Sequence, residues 1–365
     1  MDLVAVNRKV DKFLGNLLIF LFQPFVRRKE RAPKKKRILI IRLWTLGESL
    51  LTLPMVKACK DQGYDVTVLV TKRSKRVFER LPFVDTIMDI TDWPQLLLKA
   101  KHFDYAIDTE PYLNASALLS WFFGKRSIGF GGLYRERMYS HRVPYNDRIH
   151  AVYNFCNLLR PLNIRCRPGS LIPMRYDENS AKVMARLLEK NEISGKIVGI
   201  HAGTAETAPW RSWSIKKFAG LIENLAENGW TILLTGAPHE SARNESIIAE
   251  VDEKYHEAIY DFAGRTNLSE LAYLMSRIDL FISNDTGPMH LAAAMGTRTI
   301  GLFGPNLPVR FKPFGKKNVA IYKAHDMDCS PCINVHKGEF LPCKDAGKCM
   351  DAITVEDVLR EVEIE

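Results

Sequence analysis

The chain has 365 residues, 46% of them hydrophobic and 26% charged, which argues against a disordered polymer and favours two domains of ordinary size over one. Its net charge of +10 is large enough to suggest nucleic acid, but the charge is not spread over the chain. Residues 27–37, "RRKERAPKKKR", carry +7 and residues 1–26 carry +1, so the rest shares only +2, and a nucleic-acid footprint across the body is not expected.

The N-terminal segment contains the apolar stretch "FLGNLLIFLFQPFV" (13–26), interrupted by Gly15, Asn16, Gln23 and Pro24. As a helix it spans about 21 Å, short of the roughly 30 Å of a bilayer core. It also lacks a small-residue cleavage site, which argues against a secretory signal. The expectation is an amphipathic helix lying in a membrane interface, its flanking Lys and Arg reaching an anionic membrane surface. A helix packed on its own protein, followed by a solvated charge run, is the other reading. Residues 1–36 are therefore treated as an extension.

Past residue 36, short apolar runs alternate with helical spacing. "RILIIRL" (37–43), "DVTVLV" (65–70), "TIMDI" (86–90), "FDYAIDT" (103–109) and "RSIGF" (126–130) read as strands, with "SLLTLPMVKACKDQ" a helix closed by Gly63. The Pro- and Gly-rich stretch 165–180 reads as a connection, which sets one domain at 37–175 and a second at 176–350. In the second, "KIVGIHAG" (196–203), "WTILLTGAP" (230–238), "IDLFISNDTGP" (278–288) and "TRTIGLFGP" (297–305) are strands running into loops, and "FAGLIENLAENG" (218–229) is an amphipathic helix. This rhythm predicts α/β architecture in two doubly wound, Rossmann-like halves, with ligands at the carboxyl ends of the strands. Residues 351–365 read as a C-terminal helix with Thr354 as N-cap and Asp357 three residues on.

Two loops carry chemistry. In "IIRLWTLGESLLTLP" (40–54), Glu48 falls just past the first strand, where it is either an ordinary first-turn acid or a base held at the rim of the sheet. In "FISNDTGPMHLAAAMG" (281–296), small residues open a helix whose first N–H groups point at a ligand, a position that suits a diphosphate. Asp285 and Thr286 acting only as helix caps is the plainer alternative.

The stretches "GESLLTLP", "HAGT", "WRSW", "GAPHE" and "NDTGPMHLAAAMG" occur in that order with suitable gaps. Together they resemble glycosyltransferase family 9, the enzymes related to the ADP-heptose:lipopolysaccharide heptosyltransferases, over roughly residues 37–360. The resemblance implies a GT-B fold, two facing Rossmann-like domains with the acceptor on the first and the nucleotide-sugar donor on the second. It also implies that the C-terminal helix crosses back to the first domain. It places Glu48 where these enzymes keep a catalytic Asp, so here the base is one methylene longer. Thr204 matches a hydroxyl on the donor phosphate, Arg211 the cation that neutralises the leaving diphosphate, and Glu240 an acid on the ribose. Asp285, Thr286, Gly287 and His290 complete the donor set.

For several of these the residues allow a plainer role: Arg211 stacked on Trp210 or Trp213, Glu240 an exposed helix-start acid, His290 a buried histidine bonded to a carbonyl. Arg135, Arg137 and Arg142 are candidates for acceptor phosphates or, equally, solvated surface charge.

The scheme calls for no cofactor and no metal, since Arg211 and the helix start supply the positive field. Of the seven cysteines, Cys59, Cys156 and Cys166 are well separated and read as reduced thiols of a cytosolic protein. Cys329, Cys332, Cys343 and Cys349 are spaced C-x2-C-x10-C-x5-C, with His325 and His336 nearby; a reduced loop cluster is expected, with metal or redox linkage the alternative. The function expected is an inverting glycosyltransferase, peripheral at the cytoplasmic face of the inner membrane, that moves heptose or a related sugar to a lipid-linked glycan. The rivals are an inactive membrane-associated nucleotide-binding scaffold and a donor-processing epimerase or hydrolase.

Overall fold

The computed structural model describes residues 3–26, 35–204, 208–343, 345 and 347–363; most of the basic run, residues 27–34, lies outside the described residues. The chain divides into two compact units, Met1–Pro168 with Val335–Glu339, and Gly169–Asn334 with Phe340–Glu365.

The first unit contains α1 (Leu3–Phe22), β1 (Arg37–Arg42), α2 (Leu46–Asp61), β2 (Asp65–Val70), α3 (Lys72–Phe78), β3 (Thr86–Asp89), α4 (Trp93–Leu97), β4 (Phe103–Asp108), α5 (Asn114–Phe123), β5 (Gly124–Phe130), β6 (His141–Val143) and α6 (Ala151–Asn157). The second contains α7 (Glu178–Lys190), β7 (Lys196–His201), α8 (Ile215–Glu227), β8 (Trp230–Leu234), α9 (Ser241–Ile248), β9 (Ile259–Asp261), α10 (Leu268–Met275), β10 (Leu280–Asn284), α11 (Gly287–Met295), β11 (Arg298–Phe303), α12 (Pro308–Phe311), β12 (Val319–Tyr322), α13 (Lys348–Asp351) and α14 (Val355–Glu363).

Each unit holds a six-stranded sheet, ordered β3-β2-β1-β4-β5-β6 in the first and β12-β11-β10-β7-β8-β9 in the second. Every recorded pairing is parallel. Numbered within its own unit, the second order is the same as the first. Parallel strands need helical crossovers that cover both faces, which is why β1 and β10 are almost continuously apolar and wholly or nearly buried. Each fully buried Leu or Ile in them contributes about 1.5–3 kcal/mol against exposure. The order reverses between β1 and β4 and between β7 and β10. Loops leaving the carboxyl ends of those pairs flank the crevice that doubly wound sheets offer to ligands.

The α1 helix begins ten residues before the apolar stretch and docks on α5. Its inner stripe is Asp11, Gly15 and Ile19. The Asp11 carboxylate accepts from Asn114 N and Ala115 N, both at 2.9 Å, and so caps α5. A Cβ at Gly15 would collide with the Asn114 side chain, so only glycine allows this approach. Ile19 is buried with Ala117, Met138 and Tyr139. The outer face keeps Phe13 75% and Phe20 61% exposed, together with Leu14, Leu17 and Leu21. Packing on its own protein is thus half of the account, and an unpartnered apolar face is the other. Among the described residues no helix is long and apolar enough to cross a membrane.

Two expectations are corrected. The α14 helix stays in its own unit: Val358 is buried in the second core, with Val355, Leu359 and Val362 packed against it, because its apolar stripe finds α8. Cys156 and Cys166 are not isolated thiols. A turn after α6 brings them to a Cα separation of 5.2 Å, where they form a disulfide. The Thr354–Asp357 capping box is present in both directions, at 3.1 and 3.2 Å.

Candidate active site

At the switch point of the first unit, β1 delivers Arg42 inward and α2 begins three residues after it ends. Glu48 lies in the first turn of α2, whose N-cap Thr45 accepts from the Glu48 N–H at 3.4 Å. Glu48 is thus a first-turn acid, as its position in the sequence allowed. Its Oε2 accepts from Arg42 Nη2 at 2.6 Å and from Thr45 Oγ1 at 3.0 Å. Its Oε1 has no protein partner among the described residues, and the side chain is 13% exposed.

Arg42 is fully buried between two carboxylates, Glu48 and, with Nε at 3.6 Å, Glu110. Burial opposes its charge, but Glu110 and Glu48 more than offset that and hold the guanidinium above its ordinary pKa. Glu110, just beyond β4, accepts from Leu43 N at 2.7 Å and Trp44 N at 3.0 Å, so it shapes the loop that carries Glu48. Burial pushes the Glu110 and Asp108 carboxyls up against the opposing pull of Arg42 and Arg135.

Arg135 is corrected as an acceptor candidate. It is buried, its guanidinium bound to Asp108 and the Tyr139 hydroxyl. A 3₁₀ turn at Tyr134–Met138 turns it inward, where burial demands a carboxylate partner. Arg137 and Arg142 stay on the surface, donating to Gln23 Oε1 at 3.2 Å and Glu136 Oε1 at 3.3 Å.

At the second switch point, Arg211 meets Asp285 in the loop after β10. Arg211 donates from Nη1 to the Asp285 carbonyl at 3.1 Å, so it reaches the loop after β10. The Asp285 carboxylate accepts from Asn306 Nδ2 at 2.9 Å. Thr286 is the N-cap of α11 by backbone position but makes no side-chain cap bond; its hydroxyl meets Ser283 Oγ at 3.1 Å. Capping by Asp285 and Thr286 therefore does not explain the loop. Gly287 starts the helix, Pro288 brings no N–H, and the first-turn donors face outward from it.

His290 is buried, and burial alone pulls its pKa down to about 4; Nδ1 has no hydrogen-bond partner. It is a neutral imidazole without the expected carbonyl bond at that nitrogen. Thr204 is half-buried at the end of β7's loop; residues 205–207 lie outside the described residues.

Glu240 is not an exposed helix-start acid. Its Oε2 accepts from Ala237 N at 2.7 Å, and its Oε1 lies 3.9 Å from His201 Nε2. A Cβ on Gly203 would collide with that carboxylate, so the glycine makes room for it.

The four-cysteine loop is a set of free thiols. Burial first, then the neighbouring Cys332 and Cys343 sulfurs, push the Cys349 thiol up to about 11. The sequence also contains one Asp-x-Asp triplet, Asp326–Met327–Asp328. Among the described residues, no group of three or more His, Cys, Asp or Glu side chains is placed to hold a metal ion.

Residues 96–339, about two thirds of the chain, match the family described as "Glycosyltransferase family 9 (heptosyltransferase)". The chain belongs to glycosyltransferase family 9. It is accordingly a glycosyltransferase. "Lipopolysaccharide core heptosyltransferase OpsX" of Haemophilus influenzae is 24% identical over 307 residues, 79% of this chain and 85% of its own length. A family 9 structure from Veillonella parvula superposes with a TM-score of 0.74 at 19% identity, covering 90% of this chain and 96% of that one. "E. coli heptosyltransferase WaaC with ADP-2-deoxy-2-fluoro heptose" does so with a TM-score of 0.64 at 20% identity, covering 90% and 99%. Both match the two parallel six-stranded sheets, as a GT-B-like fold requires.

Within this family 9 glycosyltransferase, sequence reasoning missed the residues that hold the others in place. Asn284 accepts from Trp213 N at 3.1 Å and donates to Ala202 O at 2.9 Å, tying three loops together at the end of β10. Arg243 donates to Ala202 O and Trp213 O. Arg42, Glu110 and Asn306 were also passed over. The only signal was polar residues at the inward ends of strands, where apolar ones are the rule.

Proposed function

We propose that this glycosyltransferase inverts its sugar, moving heptose or a related sugar from an ADP-linked donor to a lipid-linked glycan such as a lipopolysaccharide core. The observation that carries the reading is the geometry of Glu48: one oxygen is fixed by Arg42 and Thr45, and the other has no partner among the described residues, at the switch point of its sheet. That is the arrangement of a general base. Glu48 Oε1 takes the proton of an acceptor hydroxyl, the hydroxyl oxygen forms the new bond to the anomeric carbon, and the bond to the diphosphate oxygen breaks with its electrons.

Arg211, the first turn of α11 at Thr286 and Gly287, and Thr204 hold the departing diphosphate, which places the positive field on the leaving group without calling for a metal. Glu240 accepts from ribose hydroxyls, Asp285 keeps Arg211 in place, and neutral His290 lines the donor site without adding charge. Arg137 and Arg142 meet acceptor phosphates. Support for the donor comes from the E. coli relative solved with an ADP-heptose analogue, and for the acceptor from the lipopolysaccharide core enzyme named above.

The reading places the enzyme peripherally on the cytoplasmic face of the inner membrane, with the exposed face of α1 in the lipid interface and the adjoining basic run on anionic headgroups. Single-turnover and steady-state assays with ADP-heptose and a lipopolysaccharide core acceptor test the chemistry. Wild type transfers, and Glu48→Gln loses about 10²–10⁴-fold in kcat while ADP affinity holds. Nucleotide binding without turnover by wild type would favour the scaffold instead. Co-sedimentation tests the surface: anionic vesicles capture the full chain and neutral ones do not, and Phe13→Ser with Phe20→Ser abolishes capture. Equal capture by both vesicle types would sink the electrostatic part.

A further inference from the structure

The buried network behind Glu48 does not balance its charges. It contains three carboxylates, Glu48, Glu110 and Asp108, and two guanidiniums, Arg42 and Arg135. Of the five side chains, Glu48 is 13% exposed and the other four are 1% or less. The groups facing it are few. From β1 comes Arg42; from the end of β4 come Asp108 and Glu110; from the 3₁₀ turn come Arg135 and the Tyr139 hydroxyl. The start of α3 presents the Ser74 hydroxyl to the Arg42 carbonyl at 3.2 Å, and α6 presents the Phe155 ring 5.8 Å from the guanidinium carbon; neither is charged. Among the described residues one negative charge is therefore unmatched, and Glu48 is the one acid of the network that meets solvent.

We propose that Arg42 and Glu110 are positioning residues for the transfer reaction: Arg42 pins Oε2 of Glu48 so that Oε1 alone serves the acceptor, and Glu110, sharing the same guanidinium, keeps Arg42 from locking the Glu48 carboxylate into a closed ion pair. The proposal rests on the reading of Glu48 as the base. A carboxylate with a guanidinium to itself at 2.6 Å is a poor proton acceptor, because its charged form is selectively stabilised. A second carboxylate on the same guanidinium draws away part of that field. The extra methylene of Glu48 fits this scheme, since it lets the carboxylate reach back to Arg42 from the first turn of α2. Neither partner touches substrate; each acts through Glu48.

Glu110→Gln removes the charge and keeps an oxygen for the Leu43 and Trp44 N–H groups, so the loop is retained. Two readouts test it. In the assay above, kcat falls about 5–10-fold, the acid limb of its pH profile moves down by roughly 0.5–1 unit, and KM stays within about twofold. By carbon NMR of glutamate labelled at the side-chain carboxyl, with the Glu48 signal assigned by its loss in Glu48→Gln, the titration midpoint of that carboxyl falls by the same amount. This second readout does not depend on the choice of donor.

Arg42→Lys keeps the charge and loses the fork, so kcat drops about tenfold with little movement of the acid limb. Should Glu110→Gln fail to fold, Glu110→Asp keeps the charge but draws it back from the Arg42 guanidinium, with a smaller shift in the same direction, and no shift in that variant overturns the proposal equally. A Glu48 midpoint and an acid limb that are both unmoved in the charge-removing variant overturn the proposal. Full activity of Glu48→Gln would instead overturn the underlying assignment of the base, whatever Glu110 does.

Discussion

The two switch points share strand order and loop position, yet their chemistry is opposite. The first is packed with ionised side chains that bond one another, fully buried behind a single half-open acid. The second has small residues, a helix start without a side-chain cap, the cations Arg211 and Arg243 bonded to backbone carbonyls, and a neutral imidazole. On the reading proposed above, one topology supplies both a proton acceptor and an anion cradle, and what differs is only which side chains the strand ends carry. A cradle works by leaving donors unspent, whereas a base works by spending one oxygen and freeing the other.

After Glu48→Gln, the largest effect should come from emptying the cradle. Arg211→Ala is expected to lower kcat by about 10²–10³-fold, the cost of losing one donor to a developing anion, with a smaller change in acceptor KM. Steady-state kinetics with donor and acceptor varied separately check this, and an equal loss in both KM values would move Arg211 from leaving group to general binding.

His290 sharpens the contrast in solvation. Its folded pKa is about 4 against an ordinary 6.5, so the unfolded chain takes up a proton first as pH falls. The stability this neutral form contributes is present above pH 6.5 and is lost as pH falls from about 6.5 to about 4, to a total of about 3 kcal/mol. Denaturant titrations should show that slope in wild type and its absence in His290→Asn.

Next comes Gly203→Ala, which sets a methyl against the Glu240 carboxylate. ADP affinity by calorimetry is expected to fall about tenfold while the first unit is untouched. The smallest effect on function is that of Gly15→Ala, which forces α1 away from Asn114 and costs about 1–3 kcal/mol of overpacking in thermal melts. It should leave nucleotide affinity as it was.

Much of the fold was legible because buried parallel strands need continuous apolar runs, and "RILIIRL" and "DVTVLV" have no other use. The loop after β10 was legible as a strand-to-helix turn for a related reason: its residues are contiguous, so Asp285, Thr286, Gly287 and His290 arrive together. The network behind Glu48 was not. Arg42 and Glu110 are 68 positions apart and meet only because β1 and β4 are neighbours in the sheet, which a linear reading of charges does not reveal. Arg135, Arg137 and Arg142 looked alike for the same reason. The 3₁₀ turn buries Arg135 and leaves Arg137 in water, and Arg142 faces out from β6. Cys156 and Cys166 needed a turn whose closure the sequence does not announce.

The carboxylate of Asp11 has a practical meaning for anyone handling this enzyme. A greasy, basic leader invites removal to improve yield. Trimming α1 here would uncap α5, bare Ala117, Met138 and Tyr139, and loosen the tyrosine that helps hold Asp108 and Arg135. The shortened chain would stick to itself through a newly opened surface, and its loss of activity would be mistaken for a need for lipid. Detergent, or Ser at Phe13 and Phe20 with the helix left in place, is the sounder route to a well-behaved preparation.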